Sequence, residues 1–98
     1  MQRVTHIERS LEQCAESGWY AYIFELEEAL DDKLAKRLES LGRSMLLSQL
    51  ARPFITVRSP RLIIRGIFGD SFIRVGVPER DAAEIGMLEK YINTCSQN

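Results

Sequence analysis

The second half of the chain alternates between apolar and polar positions in three short runs, a period typical of β-strands. The runs FITVRSP, LIIRGIFG and SFIRVGV are rich in β-branched and aromatic residues, which strands favour. Between them stand Ser59-Pro60 and Gly69-Asp70, residue types that favour turns. The pattern predicts an antiparallel meander over residues 54–77.

The Gly69-Asp70 pair predicts how the last two strands align. Glycine followed by aspartate suits a two-residue type II′ turn, and this turn places Arg65 directly opposite Arg74. Alternation then sorts the side chains onto two faces. The predicted core face carries Leu62, Ile64, Phe68, Ile73, Val75 and Val77, and the other face carries Ile63, Arg65, Ile67, Phe72, Arg74 and Gly76.

Residues 4–17 have apolar positions at steps of three and four, which predicts a helix. Thr5 and Glu8 have the spacing of a capping box, and Gly18 stands where a helix commonly ends. The apolar positions are Val4, Ile7, Leu11 and Cys14.

Residues 19–26, WYAYIFEL, fit a strand or a helix, because short apolar runs are ambiguous. Their aromatic density favours a strand. Residues 28–41 predict a helix whose buried stripe is Leu30, Leu34, Leu38 and Leu41. Residues 43–50 suit either a short helix or a strand, and Pro53 prevents a helix from continuing.

A last helix is predicted from Asp81, because Asp81 and Glu84 again have capping-box spacing. The order of elements predicts an α+β fold, in which helices pack on one face of an antiparallel sheet to form two layers. Any relation to a ferredoxin-like fold is distant, since no strand is predicted after the last helix. A length of 98 residues fits a single domain spanning 1–98.

The net charge is −1, but the charged residues are unevenly distributed. Residues 1–42 carry five basic and nine acidic groups, whereas residues 43–80 carry seven arginines and only two acidic groups. The basic block contains no lysine. Arginine favours planar, bidentate contacts, so this block indicates recognition more than solubility.

The sequence contains no GxSxG, phosphate loop or zinc-ligand spacing. The single histidine, His6, has no nucleophile within reach in the predicted helix. The acidic residues between Glu25 and Asp32 are explained by the start of a helix, so neither a metal nor a cofactor is expected. No apolar run is long enough to cross a bilayer, and the N-terminus lacks a signal-peptide core. A cytoplasmic protein without catalytic activity is therefore expected.

The opposed arginines are the sharpest functional clue, because like charges directly opposite on a sheet repel. Solvent screening of splayed side chains explains them without any ligand. An anion such as a phosphate explains them as well. A protein partner is the third explanation, most simply a second copy that offers Glu25, Glu27, Glu28, Asp31 or Asp32.

The expected function is a non-catalytic protein-interaction module, a homodimer or a small accessory subunit, that uses an arginine-rich and apolar sheet face. The alternative is binding of a small anion or a nucleic acid through the same arginines. Nucleic acid is less favoured, since the overall charge is −1. The candidate site residues are Arg58, Arg61, Arg65, Ile67, Phe72 and Arg74.

Overall fold

One antiparallel sheet dominates the computed structural model, which describes residues 2–10, 18–47 and 52–95. The elements are β1 (Val4–Arg9), β2 (Tyr20–Leu26), α1 (Asp32–Glu39), β3 (Arg43–Leu47), β4 (Phe54–Ser59), β5 (Leu62–Ile67), β6 (Phe72–Val77) and α2 (Ala83–Cys95). The strand order is β1-β2-β6-β5-β4-β3. The consecutive strands β3 to β6 therefore form a meander whose last strand returns to lie beside β2. This arrangement confirms the predicted two-layer α+β fold.

The predicted meander over residues 54–77 is confirmed together with its register. β4 pairs with β5 and β5 pairs with β6, and Arg65 lies directly opposite Arg74. The strand predicted within residues 19–26 is also confirmed, and it occupies Tyr20–Leu26 between β1 and β6.

The turn between β5 and β6 differs from the predicted two-residue type. The Asp70 N–H donates to the Ile67 carbonyl at 3.1 Å, which leaves Phe68 and Gly69 at the centre of the turn. Gly69 has a φ of +94°, and a positive φ at the third residue is the feature of a type II turn. The register is unchanged, because Gly66 still pairs with Ile73 next to the turn.

The core lies between the two helices and one face of the sheet. α1 packs over β4, and α2 packs over β1 and β6. All five predicted core positions on β5 and β6 are buried, while Phe68 in the turn is partly buried. The strands contribute Val4, Tyr22, Phe24, Leu26, Ile55, Val57, Leu62, Ile64, Ile73, Val75 and Val77, and the helices contribute Leu34, Ala35, Leu38, Leu88 and Ile92.

The predicted N-terminal helix is wrong where the structure describes it, because Val4–Arg9 forms strand β1. A β-bulge between Val4 and His6 shifts the register. The bulge brings Val4 and Ile7, three positions apart, onto the same face of the strand, which imitates helical spacing. Thr5 does not cap a helix, since its hydroxyl donates to the Glu25 carbonyl at 3.3 Å. The rest of the prediction, residues 11–17, lies outside the described residues.

Helix α1 is confirmed within the predicted range but begins later, at Asp32. Leu30 is not available to the helix, because its N–H donates to the Asp70 carbonyl at 2.8 Å and its carbonyl accepts from Gly69 at 3.1 Å. The helix starts immediately afterwards, where the Asp31 side chain accepts from the Leu34 N–H at 3.0 Å. The leucine stripe remains buried apart from Leu41, which is partly buried.

Residues 43–50 suit either a short helix or a strand from their sequence, and their described part, Arg43–Leu47, forms strand β3. Residues 48–50 lie outside the described residues. Helix α2 is present, but the predicted capping box is wrong. The Asp81 N–H donates to the Tyr22 hydroxyl at 3.0 Å, and the Glu84 carboxylate accepts from Arg61. Within the described ranges, no helix has the length and apolar content needed to span a membrane.

Candidate functional site

The sheet face opposite α1 and α2, which we call the outer face, carries a row of apolar side chains. Ile67 pairs with Phe54, and Phe54 pairs with Leu47. Phe72 lies on the other side of Ile67, at the end of β6 that follows the turn. Ile67 and Leu47 are 39% and 40% exposed, while the two phenylalanines are half-buried. The row therefore presents apolar surface across four adjacent strands.

A second row on the outer face, one pleat away, contains the opposed arginines. Arg65 and Arg74 pair with each other, and their other neighbours are Thr56 on β4 and Ile23 on β2. Both arginines are exposed. Within the described ranges, the Arg65 side chain has no hydrogen bond or ion pair. The register thus sets two arginine side chains next to each other at the centre of the sheet, where like charges repel unless a counter-charge lies beside them.

A second arginine pair lies on the same face near β3. Arg43 pairs with Arg58, and both are exposed. Met45 lies between Arg43 and Leu47 on this face and is 61% exposed. The part of the outer face formed by β3 to β6 is therefore both basic and apolar.

The two rows border an open groove of about 350 Å³ at the β5–β6 turn. It is lined by residues of β4, β5, the β5–β6 turn and β6, namely Phe54, Arg65, Gly66, Ile67, Asp70, Phe72 and Arg74. Arg52 forms an ion pair with the Asp70 carboxylate. This ion pair offsets the charge of the Asp70 carboxylate, and the exposed lining of the groove is mostly apolar.

Four of the six candidate site residues line this groove: Arg65, Ile67, Phe72 and Arg74. Arg58 shares the outer face but lies further along β4, opposite Ile63. Arg61 lies at the β4–β5 turn, at the opposite end of β5 from the groove. There it donates to Glu79 at 2.9 Å and to Glu84 at 3.1 Å.

The ion pairs of Arg61 have an electrostatic consequence for helix α2. The hydrogen bond from Arg61 holds the pKa of the Glu84 carboxyl below its ordinary value, and a backbone hydrogen bond contributes in the same direction. The same contacts with Glu79 and Glu84 raise the pKa of Arg61. Arg61 thus tethers the β4–β5 turn to the start of α2.

Ile63 lies on the outer face, as the predicted register requires, but it is not part of the exposed surface there. Its side chain is only 2% exposed, although it lies on the outer face between Arg58 and Gly76 in neighbouring strands. The exposed apolar surface is therefore concentrated nearer the β5–β6 turn and β3.

Several outer-face residues were missed by sequence reasoning. Phe54 was placed in a strand but not on a face, because the alignment of β4 was not assigned. The predicted site residues do not include Arg43, Met45 and Leu47, because residues 43–50 suit either a short helix or a strand and their faces are therefore not assigned. Met45, Leu46 and Leu47 are three consecutive apolar residues, so the segment shows no alternation that would assign them to faces of a strand.

The part of the outer face formed by β1 and β2 is acidic. Glu8 on β1 and Glu25 on β2 are exposed there, and their cross-strand neighbours are Ile23, His6 and Phe72. The outer face therefore carries carboxylates towards β1 and guanidinium groups towards β3. Charges of opposite sign therefore lie towards the two edges of the outer face. Such a surface complements a partner whose charges have the reverse arrangement.

A metal site within the described residues requires several ligand side chains close together. No three His, Cys, Asp or Glu side chains lie close enough there to hold a metal ion. The His6 Nε2 atom lies 3.7 Å from a Glu8 carboxylate oxygen, and both side chains are exposed on the outer face. The arrangement suits binding of a charged and apolar surface.

No protein-family model matches the sequence, and no curated protein or solved structure shows significant similarity to it.

Proposed function

We propose that the protein is a cytoplasmic, non-catalytic interaction module that docks a protein partner on its outer face. The observation that carries the proposal is the apolar row beside opposed arginines on a face that neither described helix covers. Large apolar side chains together with arginine are enriched at protein interfaces, while lysine and acidic residues are depleted there.

The chemistry of the partner follows from the two rows. A carboxylate that accepts hydrogen bonds from Arg65 and Arg74 together removes their repulsion and gains charge-assisted bonds. Apolar side chains beside that carboxylate cover Ile67, Phe54 and Phe72, whose burial contributes about 25 cal/mol per Å² of apolar area. The partner therefore presents acidic groups set among apolar ones, either as a second copy of this chain or as the larger assembly to which it is an accessory subunit.

The test is the double charge reversal Arg65→Glu with Arg74→Glu. The matched control is Lys33→Glu with Lys36→Glu, which makes the same change in net charge at exposed positions of α1. Sedimentation measures self-association, and affinity capture from the native host measures binding of another chain. Losing a desolvated charge pair costs about 2–5 kcal/mol, so binding should weaken at least ~30-fold in the double variant.

The control variant should bind as the wild type does. Equal loss in both double variants would show that net charge alone matters, and the proposed docking face would be rejected. A wild-type chain that stays monomeric and captures no partner also rejects it.

A second candidate function, binding of a small anion or a nucleic acid, is favoured by the groove itself. Its volume of about 350 Å³ lies in the range of small-molecule sites. Arg65 and Arg74 suit a phosphate, which accepts paired hydrogen bonds. Phe54 and Phe72 offer apolar rings on which a nucleobase stacks.

Salt distinguishes the two functions. Phosphate contacts release counterions, so affinity for labelled single-stranded DNA or RNA should fall steeply between low and physiological salt. The protein interface should lose less affinity, because it buries its charge pair and buried pairs are screened little by salt. Absence of any retardation in a gel at low salt rejects the nucleic acid, and titration with inorganic phosphate tests the small anion separately.

A further inference from the structure

The two edges of the sheet are protected very differently. The edge strands are β1 and β3, and an unprotected edge presents N–H and C=O groups that pair readily with another strand. Natural sheets blunt such edges with charged residues, bulges or covering segments.

Strand β1 carries all three devices. A bulge interrupts its pairing between Val4 and His6, and its exposed residues include His6, Glu8 and Arg9. The Val4 N–H is already occupied, since it donates to Asn93 Oδ1 of helix α2 at 2.8 Å. This edge is poorly suited to pairing with another strand.

Strand β3 lacks these devices over its described length. Its register with β4 is regular from Arg43 to Leu47, and all five residues are exposed. Only Arg43 is charged. Met45 and Leu46, which point to opposite faces of the sheet, are 61% and 48% exposed. The strand therefore exposes apolar side chains on both faces as well as its outer backbone edge.

We propose that β3 pairs with β3 of a second copy of this chain, antiparallel and centred on Met45. This register places Arg43 opposite Leu47 of the second copy and Ser44 opposite Leu46. No arginine then faces another arginine across the new pair, so the segment is complementary to itself. A two-fold axis closes the assembly, whereas pairing of β3 with the protected β1 would leave edges open for further growth.

The new pairing adds roughly four to six backbone hydrogen bonds between the two copies. It also joins the sheets so that both outer faces point the same way, because the axis is perpendicular to the sheet. The apolar rows of the two copies are then linked diagonally through the Met45 pair, while Leu47 of each copy lies opposite Arg43 of the other. The pairing uses the backbone edge of β3, whereas the docking face uses side chains of the outer face, to which Met45 and Leu47 also belong. The register of the cross-links distinguishes edge pairing from docking on the outer face.

Cysteine cross-linking tests the register directly. Opposite residues of an antiparallel pair have Cα atoms about 4.5–5.5 Å apart, within reach of a disulfide. In a background with Cys14→Ser and Cys95→Ser, Met45→Cys should cross-link to itself under mild oxidation. Arg43→Cys alone and Leu47→Cys alone should not, since their own copies lie roughly 13 Å apart. A mixture of these two variants should cross-link.

The mass in solution tests the proposal with both native cysteines in place. Met45→Lys sets two like charges opposite each other and should dissociate the dimer at least ~10-fold more readily. Met87→Lys is the matched control, because Met87 is an equally exposed methionine (66%) on helix α2. A wild-type monomer at millimolar concentration overturns the proposal. So does a dimer that survives Met45→Lys, and so does equal cross-linking of all single-cysteine variants.

Discussion

Arg65 lies at the centre of the sheet between Arg74 and Thr56, and its position has a cost in the isolated chain. Like charges directly opposite each other destabilise a strand pair, and threonine is well accommodated in strands. We expect Arg65→Thr to raise the free energy of unfolding by about 0.2–1 kcal/mol and to weaken binding of the proposed partner. Urea unfolding measures the first effect. A loss of stability would contradict the view that the pair is held for recognition.

Gly66 lies on the core face of β5, where there is no room for a β-carbon. Such an atom would stand 2.6 Å from Leu30 Cδ2 and 3.0 Å from Ile73 Cγ2. Both neighbours are buried and closely packed, so Gly66→Ala should lower the free energy of unfolding by about 1–3 kcal/mol. Gly86→Ala is the control, because nothing lies within 4 Å of that position in α2. It should stabilise the helix by about 0.5–1 kcal/mol, and equal effects would contradict the packing argument.

For single residues, the sequence predicted which side chains of β5 and β6 share the outer face, because one turn determines how these two strands align. Arg65, Ile67, Phe72 and Arg74 follow from the register even though the turn type is different. Phe54 did not follow, since its face depends on the separate alignment of β4 with β5. The alternating pattern also did not predict that Ile63 is buried, because alternation assigns a side chain to a face but does not show what covers that face.

Among the elements, strand β1 and helix α1 show where periodicity alone fails. A bulge in β1 places residues three apart on one face, so a strand shows the spacing of a helix. In α1 the leucine stripe begins with Leu30, but the backbone of Leu30 is bonded to the β5–β6 turn. Long-range hydrogen bonds of this kind have no signature in the local sequence.

The tether between the β4–β5 turn and helix α2 predicts a pH dependence. Glu84 has a pKa held below the ordinary value of 4.5 by Arg61, so its contribution to stability is present above that value. The contribution is lost as the pH falls through the pKa of the folded state. Arg61→Gln should therefore lower the urea midpoint at pH 7, and the difference from wild type should shrink towards pH 3.

Arg80→Gln is the control for that measurement, since Arg80 is an exposed arginine close to α2 without an ion pair in the described part of the chain. Its urea midpoint should follow that of the wild type at both pH values. A difference between wild type and Arg61→Gln that is constant from pH 7 to pH 3 would contradict the role of the Glu84 carboxylate.

For the whole molecule, the sheet order predicts a gradient of local stability. β2, β6 and β5 have a strand on each side and bury their core faces, whereas β1 and β3 each have a single neighbour. Free energies of local opening rise from near zero at exposed edges to the global value in core strands. In dilute solution, amide hydrogen exchange should therefore be slowest in β5 and β6 and fastest in β3.

The same experiment at higher protein concentration connects this gradient with the proposed assembly. Pairing through β3 occupies its outer N–H groups, so exchange there should slow as concentration rises. Strand β1 is the internal reference, because it is the other edge and is protected within one chain by its bulge and by Asn93. Its exchange should not depend on concentration. Slowing of both edges alike would indicate non-specific association, and no slowing at β3 would mean that this edge stays unpaired between copies.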